Sequence, residues 1–305
     1  MILYTFVIDL NAFLRFMTNV FSYIRDCKLF RKFIIDDLLF VEFKCLVEEI
    51  RFGMWSDANY FVFVTNGKKM WKTHRNDYMV KAGDALFVKK GANIAHQFHS
   101  EDYCALMIFM PDDFIKKFML KFSDTIVYKK NDELIDSDGV LRLHVDDFLL
   151  SYMKSLEVYF EAHDHPNVNV IRLKFEELLL NIFTSNKHQD ISSYLCSLQA
   201  SNSVQLKQIM TDNYPYNLKL EEYATLANMS LSTFKRSFKS VFNESPGRWI
   251  TNKKMALATQ FLKTSDKTIN EIAYDCGFED PSHFIKVFKK HENVTPLAYR
   301  NTINI

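Results

Sequence analysis

At 305 residues and 48% hydrophobic, with 28 Phe and 14 Tyr, the chain has the length for two domains. That apolar content can bury substantial cores and excludes a chain disordered overall. The net charge of +1 hides an asymmetry: residues 201–305 carry 14 Lys and Arg against 10 Asp and Glu, residues 1–200 carry 24 against 27, and the basic excess suits a modest phosphate-binding face.

Residues 1–16 are apolar but broken by Asp9 and Arg15, too short to span a bilayer, and without a basic start or a small-residue cleavage site. They read either as a genuine extension or as a false start, with translation beginning at Met17. Over 38–110 the pattern is of short strands with a turn about every ten residues. Tyr60 to Thr65 runs into Asn66-Gly67, a strong hairpin signal from which Lys68 to His74 returns. Gly83-Asp84 and Gly91 mark further turns, and Tyr103 to Met110 reads as a buried strand. The expectation is a sandwich or jelly-roll barrel.

The period changes after Pro111. Phe148, Leu149, Tyr152, Leu156, Tyr159 and Phe160 form one helical stripe from Val145 onward, and His163-Asp-His-Pro166 breaks it. Val170 to Phe183 makes a second amphipathic helix. The two apolar faces can pack on the barrel or on a second copy of the chain, and the sequence leaves both open. Polar residues 197–202 read as a linker.

The last third repeats itself. Ser232-Thr-Phe-Lys-Arg-Ser-Phe-Lys leads to Asn243 and Pro246; fifty positions later Ser282-His-Phe-Ile-Lys-Val-Phe-Lys leads to Asn293 and Pro296. Each copy reads as a helix-turn-helix. Leu220 to Ala227, a turn at Asn228, and a helix capped by Ser230 or Ser232 make the first. A helix from Thr268, a turn at Gly277, and a helix capped by Asp280 with Pro281 at its first position make the second. Phe234, Phe238, Val241 and Phe242 face one side, leaving Ser232, Thr233, Lys235, Arg236 and Lys239 outward. Phe284, Ile285, Val287 and Phe288 likewise leave Ser282, His283, Lys286, Lys289 and Lys290 outward. A helix apolar on one face and small or basic on the other suits the major groove. Pro246 to Leu262 reads as a continuous spacer helix, and two heads in successive grooves stand about 34 Å apart.

Residues 205–300 resemble the DNA-binding domain of the AraC/XylS family of bacterial transcription regulators. The resemblance rests on Lys254-Met-Ala-Leu-Ala, Ile272-Ala-Tyr-Asp-Cys-Gly-Phe278, Ser282-His-Phe284, Phe288-Lys-Lys290, Thr295-Pro296 and Tyr299-Arg300. Departures are Asn243 and Asn293 where Gly is usual, and Lys286 where Arg is frequent; Lys gives up bidentate reading of guanine. The resemblance implies base contacts through Ser232, Lys235 and Arg236 and through Ser282, His283 and Lys286, with Lys239, Lys289 and Lys290 on phosphates. The strands with Lys81-Ala-Gly-Asp-Ala-Leu-Phe87 resemble the cupin-type barrel that often precedes this domain, which senses a small molecule or a protein partner, and helices such as 175–180 often dimerise there.

The fold expected is α+β. Residues 17–130 form a cupin-like barrel, 131–200 a helical dimerisation or connector region, and 201–305 an all-α double helix-turn-helix domain with a linker helix. The function expected is that of a promoter-DNA-binding regulator, an activator by family habit, which contacts RNA polymerase and needs no cofactor or membrane. A cupin-type metal enzyme is the rival. His96 and His99 lie three apart, so on a strand they face opposite sides, and Glu101 is too close for a ligand set; no metal site is assigned. Cys104 lacks an activating partner, His163 and His165 read as a polar turn, and the five scattered cysteines show no CxxC, which suits a reducing cytoplasm. A module with a vestigial DNA-binding half is disfavoured by the intact caps and apolar registers of both copies.

Overall fold

Successive strands of the N-terminal half cross between two sheets far more often than they fold back as hairpins. The computed structural model describes residues 17–35, 37–45, 50–97, 102–126, 137–162 and 166–303. The chain divides into two compact units, Met1–Gln205 and Leu206–Ile305.

In the first unit, β1 (Thr18–Asn19), β4 (Ile50–Ser56), β9 (Gly91–Gln97), β6 (Lys68–Lys72) and β7 (Asp77–Lys81) form one sheet in that order. The second sheet runs β11 (Val140–Leu143), β8 (Ala85–Val88), β5 (Asn59–Asn66), β10 (Tyr103–Met110), β3 (Leu38–Cys45), β2 (Arg31–Ile35). The Asn66-Gly67 hairpin is therefore not formed. β5 pairs with β8 and β10, whereas β6 pairs with β7 and β9. Gly67, at φ +73°, turns the chain from one sheet to the other, and a Cβ there would lie 2.5 Å from the Asp102 carbonyl oxygen. Asn-Gly encodes a left-handed backbone, which a sheet-crossing corner uses as readily as a hairpin. Gly83, at φ +90°, makes the equivalent corner between β7 and β8.

Both faces of β5 are buried, so its apolar run does not alternate with polar residues. Tyr60, Val62 and Val64 point between the sheets with Trp71, Val80, Leu86 and Phe109. Phe61 and Phe63 point outward, under helices α2 (Asp112–Lys121), α3 (Asp147–Glu161), α4 (Val168–Thr184) and α5 (Gln189–Ser197), which follow α1 (Val20–Asp26). Leu149, Tyr152, Leu156 and Phe160 of α3 meet Phe175, Leu178, Leu179 and Ile182 of α4 in that core. The apolar stripes thus cover the barrel, while Phe148 falls off its stripe, and Leu150, Val158, Val168, Val170 and Leu173 remain exposed. β11, inside the stretch expected to be helical, pairs with β8.

A buried polar network ties strand to helices. Lys90 Nζ meets Asp112 Oδ2 at 2.5 Å, Asn59 Nδ2 donates to Asp112 Oδ1 at 2.9 Å, and the Tyr194 hydroxyl donates to Asn59 Oδ1 at 2.7 Å.

The described residues of the second unit are helical. α6 (Asn202–Asn213) follows the polar stretch 197–202, and the units divide inside it. Then come α7 (Leu220–Leu226), α8 (Leu231–Phe242), α9 (Pro246–Thr264), α10 (Ile269–Asp275), α11 (Pro281–Glu292) and α12 (Pro296–Ile303). Among the described residues no helix is long and apolar enough to cross a membrane.

Candidate nucleic-acid interface

α7 and α8 form the first helix-turn-helix. Tyr223, Ala224 and Leu226 of α7 are buried, and the chain turns at Asn228 with φ +53°. Asn tolerates this conformation better than other residues with a Cβ. Ser230, not Ser232, caps α8: its Oγ accepts the Thr233 N–H at 3.3 Å. Phe234 and Phe238 are fully buried, and rings of Tyr223, Phe242 and Trp249 pack on them at centroid distances of 6.4, 4.3 and 6.0 Å. Burying each such ring is worth roughly 1.5–3 kcal/mol. α8 ends at Asn243, φ +58°, whose N–H donates to the Lys239 carbonyl at 3.0 Å.

α10 and α11 repeat the plan with one more residue in the turn. Thr268 and Glu271 make a reciprocal capping box: the Thr268 N–H donates to Glu271 Oε2 at 2.7 Å, and the Glu271 N–H donates to Thr268 Oγ1 at 3.2 Å. The backbone donor holds the Glu271 carboxyl below its ordinary range. The turn falls at Gly277, φ +71°. Asp280 then accepts the Ser282 and His283 N–H groups at 2.9 and 3.2 Å, which lowers its own carboxyl pKa. Phe284 and Phe288 pack on Met255, Ala258 and Leu262 of α9 and on Ile272 and Ala273 of α10. α11 ends at Asn293, φ +64°.

The outward faces carry the expected residues. Ser232, Lys235, Arg236 and Lys239 are exposed on α8, and Ser282, His283, Lys286, Lys289 and Lys290 on α11. At spacings of three, four and seven these positions make one stripe on each helix. Thr233 differs: it is half-buried, and its Oγ1 accepts a hydrogen bond from Ser230 Oγ at 2.9 Å, which ties it into the cap. Among the described residues, the side chains of Lys235, Arg236, Lys239, Lys286, Lys289 and Lys290 make no ion pair or hydrogen bond. Six cations left without counter-charges, a stripe of them on each of two helices, are a surface for phosphate.

Lys254 has no assigned role in the sequence beyond membership of a motif. In α9 it falls four residues after Ile250 and four before Ala258, on the core side, and is only 8% exposed. That spacing was the available signal. Its Nζ donates to the Gly277 carbonyl at 3.0 Å and lies 5.3 Å from the centre of the Phe278 ring. Burial pushes the ammonium down to about 8 and the neighbouring Cys276 thiol up to about 12.

Among the described residues the side chains of the rival chemistry do not come together. His96 lies on β9, opposite Met70 and Arg51, and is half-buried; His99, Glu101 and residues 163–165 lie outside the described residues, as do residues 1–16. Burial lowers the pKa of His74, and Cys104 sits half-buried at a register shift of β10. Among the described residues no three His, Cys, Asp or Glu side chains gather as a metal ion requires.

A β-barrel unit joined to two capped helix-turn-helix motifs on a shared linker helix defines a DNA-binding transcription regulator. Residues 59–194 match the family model described as the ExsA N-terminal regulatory domain, and residues 223–302 match a helix-turn-helix domain model. The chain is 27% identical over 236 residues to the virulence regulon transcriptional activator VirF of Yersinia enterocolitica, covering 77% of this chain and 86% of that protein. It is 28% identical over 224 residues to the transcriptional regulator ExsA of Pseudomonas aeruginosa, covering 73% and 79%. Among solved structures, ToxT from Vibrio cholerae aligns over 86% of this chain and 97% of that one, at 14% identity and a TM-score of 0.39. The chain belongs to the AraC/XylS family of transcription regulators.

Proposed function

We propose that the protein activates transcription from promoters carrying two short boxes about one helical turn apart, with α8 in the major groove of one and α11 in the next. The observation that carries this reading is the pair of cation stripes described above, set on two capped helices of one compact unit. Ser232, Lys235 and Arg236 on α8, and Ser282, His283 and Lys286 on α11, read base edges; Lys239, Lys289 and Lys290 hold phosphates and fix register. Thr233 acts through the cap more than through the groove. The sign of regulation follows the activator VirF, which this chain resembles.

The barrel over about 17–130 and the helices that follow it are the regulatory part, answering to a small molecule or a regulatory protein. Leu150, Val158 and Leu173, left exposed on α3 and α4, favour self-association of this part. RNA polymerase is the partner an activator must meet, and the cytoplasm is where both promoter and polymerase are found. Catalysis has no part in this reading.

Selection of bound sequences from a random duplex library by the full-length protein tests it. Two enriched boxes about ten base pairs apart are the expected result. Enrichment of one box only, or of none under any salt condition tried, would defeat the double-reader assignment.

A further inference from the structure

The turn of the second helix-turn-helix is held at three points. The Gly277 carbonyl accepts a hydrogen bond from Lys254 Nζ of the linker helix at 3.0 Å. Its Cα presses so closely on the segment before α7 that a Cβ would fall on the Pro215 carbonyl oxygen. Two residues on, Glu279 Oε1 accepts a hydrogen bond from Asn217 Nδ2 at 2.7 Å. Phe278, whose ring lies by the Lys254 ammonium, packs at 5.7 Å on His283 and 5.3 Å on Phe284, at the start of α11.

We propose that Lys254 is a positioning residue for DNA reading: it clamps this turn to the linker helix and so sets where α11 stands relative to α8. The inference rests on the double-reader assignment. Its logic is that a buried ammonium with one carbonyl acceptor is a poor source of stability. Desolvation disfavours its charge, and an apolar chain of similar length would fill the space at lower cost. Such a cost is tolerated where it fixes functional geometry. The lock acts at the end of α11 that carries Ser282 and His283, so loosening it displaces base contacts before phosphate contacts.

The test uses the full-length protein, a duplex bearing both selected boxes, and a duplex with the second box scrambled. Lys254→Met should lose about tenfold in affinity on the two-box duplex, the scale of one good base contact. On the scrambled duplex it should match the parent, and its melting temperature should be no lower. Lys254→Arg, which keeps the cation, should retain second-box discrimination. It should also hold that discrimination from pH 7.5 to 9, where the parent loses it as Lys254 deprotonates. Cys276 and Glu279 act on the ammonium, Asp280, His283, Lys290 and His291 line the same cleft, and all six are common to both proteins, so they cancel in that comparison. Asn217→Ala, an exposed change that does not disturb a core, should cost a smaller share of second-box affinity alone. Equal losses on both duplexes with a lowered melting temperature would make Lys254 a purely structural residue and overturn the proposal. Undiminished second-box discrimination in Lys254→Met would overturn it too. A parent protein indifferent to scrambling would instead sink the double-reader assignment, and the clamp with it.

Discussion

Replacing Gly277 by Ala should weaken the second helix-turn-helix by about 2–5 kcal/mol. The backbone there holds φ +71°. A residue with a Cβ pays about 1–2 kcal/mol to enter that region. The added methyl would also land on the Pro215 carbonyl oxygen and 2.8 Å from Lys254 Nζ. The ammonium ends a flexible stem and can swing aside, whereas the carbonyl moves only with its backbone. Overpacking of that kind costs about 1–3 kcal/mol. Amide hydrogen exchange of the full chain, resolved by mass, compares peptides over 269–292 with those over 220–242. Protection in the former should fall at least roughly thirtyfold, the equivalent of 2 kcal/mol, and in the latter hardly at all. Asn228→Gly, at the matching turn with φ +53°, is the control. It trades left-handed strain against backbone entropy and should change protection by less than about 1 kcal/mol. Exchange over 269–292 within about 0.5 kcal/mol of the parent would mean that the turn is not wedged, and the steric reasoning would fail.

Arg236→Ala should cost about 1–3 kcal/mol on the selected duplex and much less on random DNA, measured by titration at fixed salt. Equal losses on both would assign Arg236 to phosphate. Loss of the Lys254 charge should by itself stabilise the C-terminal unit by about 1 kcal/mol from pH 8 to 9, of which Cys276 takes back roughly a third. Lys254 titrates at about 8 when folded and near 10.5 when unfolded, so between these values the unfolded chain holds the extra proton and rising pH favours the fold. Above pH 9 the slope turns over, because Cys276, pushed up to about 12, and Tyr223, also pushed up, keep protons that the unfolded chain sheds. Urea unfolding across this range should show the gain in the parent and not in Lys254→Met. Asp112→Ala should destabilise the N-terminal unit by about 3–5 kcal/mol, since it leaves the Lys90 ammonium buried without its carboxylate. Thermal unfolding of that unit with little loss would show that Lys90 finds water instead.

The second unit was far more legible than the first, and for a physical reason. Its signals are local: caps at Ser230, Thr268 and Asp280, left-handed turns at Asn228, Asn243, Gly277 and Asn293, and phenylalanines at helical spacing. Each is decided by neighbours within four residues. Strand pairing is not. Asn66-Gly67 specifies a backbone conformation but not which sheet receives the next strand; that choice depends on β8 and β10, many residues away. β11 is not legible because four residues give too short a period to separate from a loop, and only its partner β8 makes it a strand. Thr233, expected to face outward, is half-buried and tied to the cap by a side-chain hydrogen bond that helical wheels omit.

Sequence repetition also concealed a difference in how the two heads are held. The first carries its own aromatic ladder, Tyr223 to Phe234 to Phe238 to Phe242, closed by Trp249 of the linker. Its turn falls at Asn228, in the left-handed region. The second carries a ladder as well, Phe278 to Phe284 to Phe288, closed by Tyr299 and packed on Met255, Ala258, Leu262, Ile272 and Ala273. Its turn must also accept a glycine with no room for a methyl, a buried ammonium and a hydrogen bond from Asn217. Both heads pack locally, and the second leans in addition on Lys254 of the linker helix and on the segment before α7. Any change that loosens those two elements should therefore blur the second box before the first, although the exposed basic residues of both heads are untouched.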